Sequence, residues 1–133
     1  MEECITFAEA AGFIPQEEIK NLLQVSDVFV SASTNEGFSN SCLEAASTGL
    51  ICIAREGTPG NSKIIVDGET GILYNSSKGI NLGKSMRLIQ NNFDLRESMK
   101  NESIRFIRSN YSPIIAANSY NALYTELLLK MNI

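Results

Sequence analysis

Val28-Phe29-Val30 and Leu50-Ile51-Cys52-Ile53-Ala54 are unbroken runs of three or more apolar residues. Neither alternates apolar with polar, as a strand with one wet face does. Continuous apolar runs of this length belong to strands covered on both sides. Each run lies between segments with helical spacing, and strands separated by helices pair in parallel. The expected fold class is therefore α/β, a Rossmann-like parallel sheet flanked by helices. Four strands are expected, over residues 4–10, 27–33, 50–54 and 72–74.

Helix signals fill the intervals. Pro15 suits a first helical position, and Glu17 and Glu18 follow where the helix dipole favours acids. Ile19, Leu22 and Leu23 give that helix an apolar face. A second helix should run to about Ser47, with Gly49 placed to end it in the left-handed conformation. Thr58-Pro59-Gly60-Asn61 reads as a turn before one helical turn over 62–66, and Asp67-Gly68-Glu69-Thr70-Gly71 as a further turn. From Lys78 onward the pattern is helical: Leu82, Met86 and Ile89, then Leu95, Met99 and Phe106. Ser112 reads as the cap of a last helix, with Pro113 at its first position. That helix has two apolar stripes, Ala116, Tyr120, Leu123 and Leu127 beside Ala117, Tyr124, Leu128 and Met131. A helix apolar on two sides wants two packing partners, and one is expected outside this chain.

The 133 residues suffice for one domain with a core, and the net charge of -4 argues against nucleic acid as the main partner. The basic residues between Arg96 and Arg108 alternate with Glu97 and Glu102, as on a solvated helix face. Histidine is absent, so neither a histidine-based triad nor a histidine-ligated metal can form within this chain. Cys4, Cys42 and Cys52 are an odd count without metal spacing, and are expected as reduced, buried thiols of a cytosolic protein. No apolar run approaches the ~20 residues of a membrane span, and the first residues lack the shape of a signal peptide.

Chemistry is expected in the run Glu36-Gly37-Phe38-Ser39-Asn40-Ser41-Cys42-Leu43-Glu44. It leaves the carboxyl end of the strand at 27–33, where open parallel sheets bind ligands. Gly37 lets the backbone approach a ligand. The amides of Gly37, Phe38, Ser39 and Asn40 lie at or just before a helix N-terminus, which suits a phosphate. A carboxylate accepts hydrogen bonds in pairs, as vicinal hydroxyls of a sugar or ribose require. Amides for phosphate with two acids for hydroxyls make a nucleotide-sugar cradle one reading of the run. The other is local: Ser41-Cys42-Leu43-Glu44 fits a capping box, in which Glu44 caps the helix and Glu36 is a solvated loop acid. Spacing alone leaves both open.

The run resembles the E-x7-E signature of glycosyltransferase family 4, with Glu36 and Glu44 as the pair. Its neighbours agree in order. Phe7 to Gly12 with Ile14-Pro15 resemble the strand and glycine before the preceding helix, and Ser26 to Val30 the strand that follows. Thr58 to Asn61, Ile64-Ile65 and Asp67 to Gly71 resemble the family's glycine-rich segment; Tyr111-Ser112 and Tyr120 to Tyr124 resemble its terminal helix. Lys63 departs from the pattern, standing where the family has an acid.

The resemblance implies that residues 1–133 are a single partial domain, part of the C-terminal, donor-binding half of a retaining GT-B glycosyltransferase of hexosyltransferase type. Residues 111–133 would be the helix that packs on the N-terminal domain. Glu36 would contact hydroxyls of the transferred sugar, and the amides of Gly37, Phe38 and Ser39 the sugar or distal phosphate. Asn40 and Ser41 would lie near the phosphates, and Glu44 would bind the ribose hydroxyls. Both acids would position the donor rather than react. Thr58 to Asn61 would form a structural loop at the rim. The implied partners are a UDP- or GDP-sugar donor, as co-substrate, and a glycan or lipid-linked acceptor held by the N-terminal domain. No metal or other cofactor is implied. The setting would be polysaccharide biosynthesis in the cytoplasm, at times peripheral at the inner membrane face. The Arg and Lys that neutralise the leaving diphosphate would precede residue 1, so these residues alone are expected to be inactive. A non-catalytic interaction or nucleotide-binding module of the same half-fold is the alternative. A Rossmann dehydrogenase is disfavoured, because no G-x-G-x-x-G follows a strand.

Overall fold

The computed structural model describes residues 13–131. The expected strand at 4–10 and Cys4 lie outside the described residues. Among the described residues three strands form the sheet: β1 (Val28–Ser31), β2 (Ile51–Arg55) and β3 (Gly71–Tyr74). They lie in the order β1-β2-β3 and all pair in parallel, with Val28 opposite Ile51 and Cys52 opposite Gly71. Six α-helices among the described residues surround them: α1 (Gln16–Val25), α2 (Asn40–Ser47), α3 (Pro59–Ile64), α4 (Leu82–Asn91), α5 (Phe93–Tyr111) and α6 (Pro113–Lys130). The fold class is as expected.

The central strand explains the continuous apolar run. Ile51 through Ala54 are all buried, but they serve two different layers because successive side chains point to opposite faces. Cys52 and Ala54 join Cys42, Ala45 and Ala46 of α2, Ile64, Ile65 and Ile107 in one core. Ile51 and Ile53 join Ile72, Ile89 of α4 and Met99 of α5 in the other. Long α5 therefore reaches both faces of the sheet. The thiols of Cys42 and Cys52 are free and buried. A hydrogen bond with Cys42, then burial, pushes the Cys52 thiol up from its ordinary value, which keeps it protonated and inert.

Helix α2 ends as the sequence suggests. Gly49 has φ +87. Its amide donates to the Ala46 carbonyl and the Leu50 amide to the Ala45 carbonyl, at 3.1 and 3.2 Å. This Schellman pair satisfies the terminal carbonyls and turns the chain directly into β2.

Several boundaries differ. Helix α3 begins at Pro59, so the expected turn at 58–61 is already its first turn, with Pro at the position where a missing N–H costs nothing. The helical stretch after Lys78 is two helices. Asn81 caps α4 and Asn92 caps α5, each accepting a bond from the amide three residues on. Asn92 is extended, with φ -130 and ψ 92, so the helix is broken there to redirect the chain. Ser112 caps α6 as expected. No residue of α6 is buried, and Ile114, Tyr120, Tyr124, Leu128 and Leu129 are each more than half exposed.

Candidate functional site

Residues 32–39 leave the carboxyl end of β1 and enter α2, so the loop opens where a parallel sheet presents a ligand site. Helix α2 starts at Asn40 with Ser39 as its N-cap residue. Glu44 is then the fifth helical position rather than the third, and the capping-box reading fails. Ser39 also makes no capping bond through its side chain. The first-turn amides of α2 therefore keep the unpaired character that attracts an anion.

Glu36 is held from the side by α3. The Gly60 amide donates to the Glu36 carbonyl at 2.7 Å. Asn61 is fully buried and donates from Nδ2 to the Arg55 carbonyl at 3.2 Å; buried Thr58 donates from Oγ1 to the Ser33 carbonyl at 2.9 Å. These two bonds tie the end of β2 and the loop after β1 to one short helix. Three side-chain atoms around this junction are shut from solvent without a protein partner: Glu36 Oε2, Ser39 Oγ and Asn61 Oδ1. Buried polar atoms are normally paired, and each one left unpaired is costly. Three together, at the mouth of a helix, suit a polar ligand or ordered water.

The other predicted residues are more open. Gly37, Phe38 and Asn40 are exposed. Gly37 has no neighbour within 4 Å of where a Cβ would stand. Glu44 is exposed and lines a groove of about 260 Å³ between α1 and α2, with Gln16, Lys20, Ser47 and Thr48. Glu36 and Glu44 thus flank the N-terminal half of α2 on different sides, one against α3 and the other facing α1. A further cleft of about 420 Å³ lies at the carboxyl ends of β2 and β3, lined by Arg55, Glu56, Tyr74, Asn75 and Ser77. The Lys78 ammonium, then the Asn75 amide, lower the Glu56 carboxyl from its ordinary value. Among the described residues no group of three His, Cys, Asp or Glu is placed to hold a metal ion.

Lys63 and Tyr111 also touch the loop, and spacing could not have found them. Lys63 Nζ donates to the Gly37 carbonyl at 3.2 Å, from 26 positions away. The Tyr111 hydroxyl donates to the Lys63 carbonyl at 2.6 Å across 48 positions, and its ring lies 5.7 Å from that of Phe38.

A parallel α/β sheet with polar groups gathered where a helix begins after a strand defines a ligand-binding domain of the doubly wound class. The family of glycosyl transferases group 1 matches residues 8–106, and the chain belongs to it. It is 30% identical over 120 residues to the glycosyltransferase 1 domain-containing protein 1 of Xenopus tropicalis, covering 90% of this chain and 34% of that protein. The chain therefore spans about a third of the length of that curated relative. The C-terminal domain of the group 1 glycosyl transferase LpcC from Francisella tularensis superposes with a TM-score of 0.66 at 28% identity, over 77% of this chain and 52% of that one. Anabaena HepE, solved in complex with UDP-glucose, superposes with a TM-score of 0.68 at 16% identity, over 78% and 29%. These neighbours are GT-B glycosyltransferases, and the described residues form an α/β part of such a fold.

Proposed function

We propose that this chain is the donor-binding part of a retaining glycosyltransferase of hexosyltransferase type, with Glu36, Gly37, Phe38, Ser39, Asn40 and Glu44 as its nucleotide-sugar contacts. The observation that carries this reading is the unpartnered, solvent-shielded Glu36 Oε2 beside the open N-terminus of α2. Glu36 accepts hydroxyl protons of the transferred sugar. The amides of Gly37, Phe38 and Ser39, with Asn40 beside them, face the sugar and the distal phosphate. Glu44, on the opposite flank, accepts from the ribose hydroxyls. Family membership supports the reading, as does HepE, whose solved complex holds UDP-glucose.

The chemistry follows from charge. The bond between the anomeric carbon and the diphosphate oxygen breaks, the electron pair stays on the diphosphate, and the acceptor hydroxyl oxygen bonds the same face of the sugar as its proton passes to the departing diphosphate oxygen. Negative charge grows on the leaving phosphate, and preorganised N–H groups at a helix start stabilise it without rearranging. The two acids contribute by orientation. No step of this scheme uses a metal.

The acceptor, glycan or lipid-linked, is held on the same proposal by an N-terminal domain. Helix α6, with no buried residue, packs on that domain. Residues 1–133 alone transfer no sugar. No helix among the described residues is long and apolar enough to cross a membrane. Work in polysaccharide assembly in the cytoplasm, peripheral at the inner membrane face where the acceptor is lipid-linked, belongs to this proposal too.

Titration of the chain with UDP, UDP-glucose and GDP-mannose, followed by amide NMR, tests the reading. Signals of residues 36–44 should move with at least one of the three. If all stay unmoved, the site is misassigned.

A further inference from the structure

The loop carrying Glu36 needs anchors, because packing does little to hold it. Thr34, Asn35, Gly37 and Phe38 are all exposed. A Cβ on Gly37 would meet nothing within 4 Å, and its backbone has the widest conformational freedom of any residue. Ordering such a segment costs roughly 1–2 kcal/mol per residue. One anchor is the Gly60 amide on the Glu36 carbonyl at 2.7 Å. The others converge on Tyr111, the last residue of α5.

Tyr111 packs against the α2-side core, and its ring lies 6.1 Å from that of Phe106 on the same helix. Its other ring contact is Phe38, at 5.7 Å and 57°, within the tilted range that aromatic pairs favour. Its hydroxyl donates to the Lys63 carbonyl at 2.6 Å, and Lys63 Nζ donates to the Gly37 carbonyl at 3.2 Å. The contacts close a circuit: Phe38 to Tyr111, Tyr111 to Lys63, Lys63 back to Gly37. Carboxylate pairs among the described residues are Lys78–Glu56, Arg105–Glu102 and Lys130–Glu126, and Lys63 is in none of them. Its charge is spent on the loop carbonyl, where a charged donor makes the stronger kind of hydrogen bond.

We propose that Tyr111 and Lys63 are positioning residues that together hold the Glu36-Gly37-Phe38 segment in its sugar-binding conformation. The proposal rests on the donor-site reading above. Neither residue touches the donor; both act through the loop. The sugar and distal-phosphate contacts should therefore depend on them, and the ribose contact, held by Glu44 on the other flank of α2, should not.

The test compares UMP, which has the ribose but neither the distal phosphate nor the sugar, with UDP-glucose on the 133-residue chain. Tyr111→Phe keeps both ring contacts and removes the bond to Lys63; Lys63→Met keeps the stem and removes the bond to Gly37. Each should bind UDP-glucose about fivefold more weakly, the loss of one ordinary hydrogen bond, while UMP changes less than about twofold. The double variant should be no worse than the weaker single one, because both act through one link. Equal losses for UMP and UDP-glucose would mean general destabilisation and overturn the proposal, as would losses that multiply in the double variant. If the wild-type chain binds neither probe, the donor reading fails, and backbone NMR order parameters decide this one separately. Those of Gly37 and Phe38 should fall in Tyr111→Phe, and unchanged values overturn it.

Discussion

The Gly60 amide donates to the Glu36 carbonyl at 2.7 Å, and a Cβ on Gly60 would stand 2.8 Å from that same oxygen. The same added atom would lie 3.0 Å from the Ser39 nitrogen and 3.1 Å from Glu36 Cβ. Helix α3 thus meets the site loop backbone to backbone, at a distance that only a residue without a side chain permits. On the donor-site proposal, this junction sets donor placement as much as Glu36 and Glu44 do.

Gly60→Ala should therefore damage the site from outside it. Two of the three crowded atoms are backbone, which cannot swing away as a side chain can. Relief requires the loop to shift, at a cost of about 1–3 kcal/mol, the usual range for overpacking. Urea denaturation should show that loss, and UDP-glucose binding should weaken in parallel. An alanine variant of native stability and affinity would disprove the close approach.

Glu36→Gln separates ligand contact from structural support. The carboxylate oxygen Oε2 is shielded without a partner, so the native charge contributes nothing to stability there and carries a desolvation cost. The amide is neutral and nearly the same shape. Thermal unfolding should be unchanged or slightly raised, by up to about 1 kcal/mol. UDP-glucose affinity should fall by about tenfold or more, since a charged acceptor is replaced by a neutral one. A marked loss of stability would make Glu36 a structural residue instead.

Much of the scaffold was legible because burial leaves a composition. Ile51 to Ala54 are buried on both faces, and nothing but an unbroken apolar run could fill that strand. Gly49 was legible for a similar reason: a left-handed backbone leaves few residue choices. The start of α2 was not legible. Ser41 and Glu44 offer a proper capping box, and whether the helix begins there or at Asn40 is decided by α3 pressing on Glu36 and Ser39. The break at Asn92 left a trace that the residue spacing carries: at about 100° per residue, the stripe of Leu95, Met99 and Phe106 lies roughly 120° round from that of Leu82, Met86 and Ile89. The clamp of Lys63 and Tyr111 was invisible, since its contacts span 26 and 48 positions and leave no local pattern.

Glu44→Gln should be silent in folding and loud in binding. Glu44 is exposed and is not a cap, so its replacement should leave stability within about ±0.5 kcal/mol. UDP and UDP-glucose should weaken together, by about tenfold, because both carry the ribose. Paired calorimetric titrations would show it. Loss for UDP-glucose alone would exchange the roles given to the two acids.

The last expectation concerns acid. Glu56 accepts from Lys78 Nζ and from Asn75 Nδ2, at 2.5 and 2.7 Å, and its carboxyl is lowered, chiefly by the Lys78 bond. A carboxyl whose folded value lies below its unfolded one binds its proton less readily when folded. The stability it contributes is complete above the unfolded value and is lost as pH falls through the folded one. The pair is open to water, so that contribution is small. Its site-specific titration is the sharper measurement. In Lys78→Met, the Glu56 side-chain carbonyl signal should titrate at higher pH than in the wild type, with Asn75 retaining the remainder of the shift. An unmoved titration would show that the ammonium is not what lowers it. Because Glu56 and Asn75 line the cleft at the carboxyl ends of β2 and β3, the same variant should also show whether that cleft feels the donor. If UDP-glucose shifts the Glu56 signal in the wild type, the cleft belongs to the donor site; if not, its polar groups serve the β2–β3 junction alone.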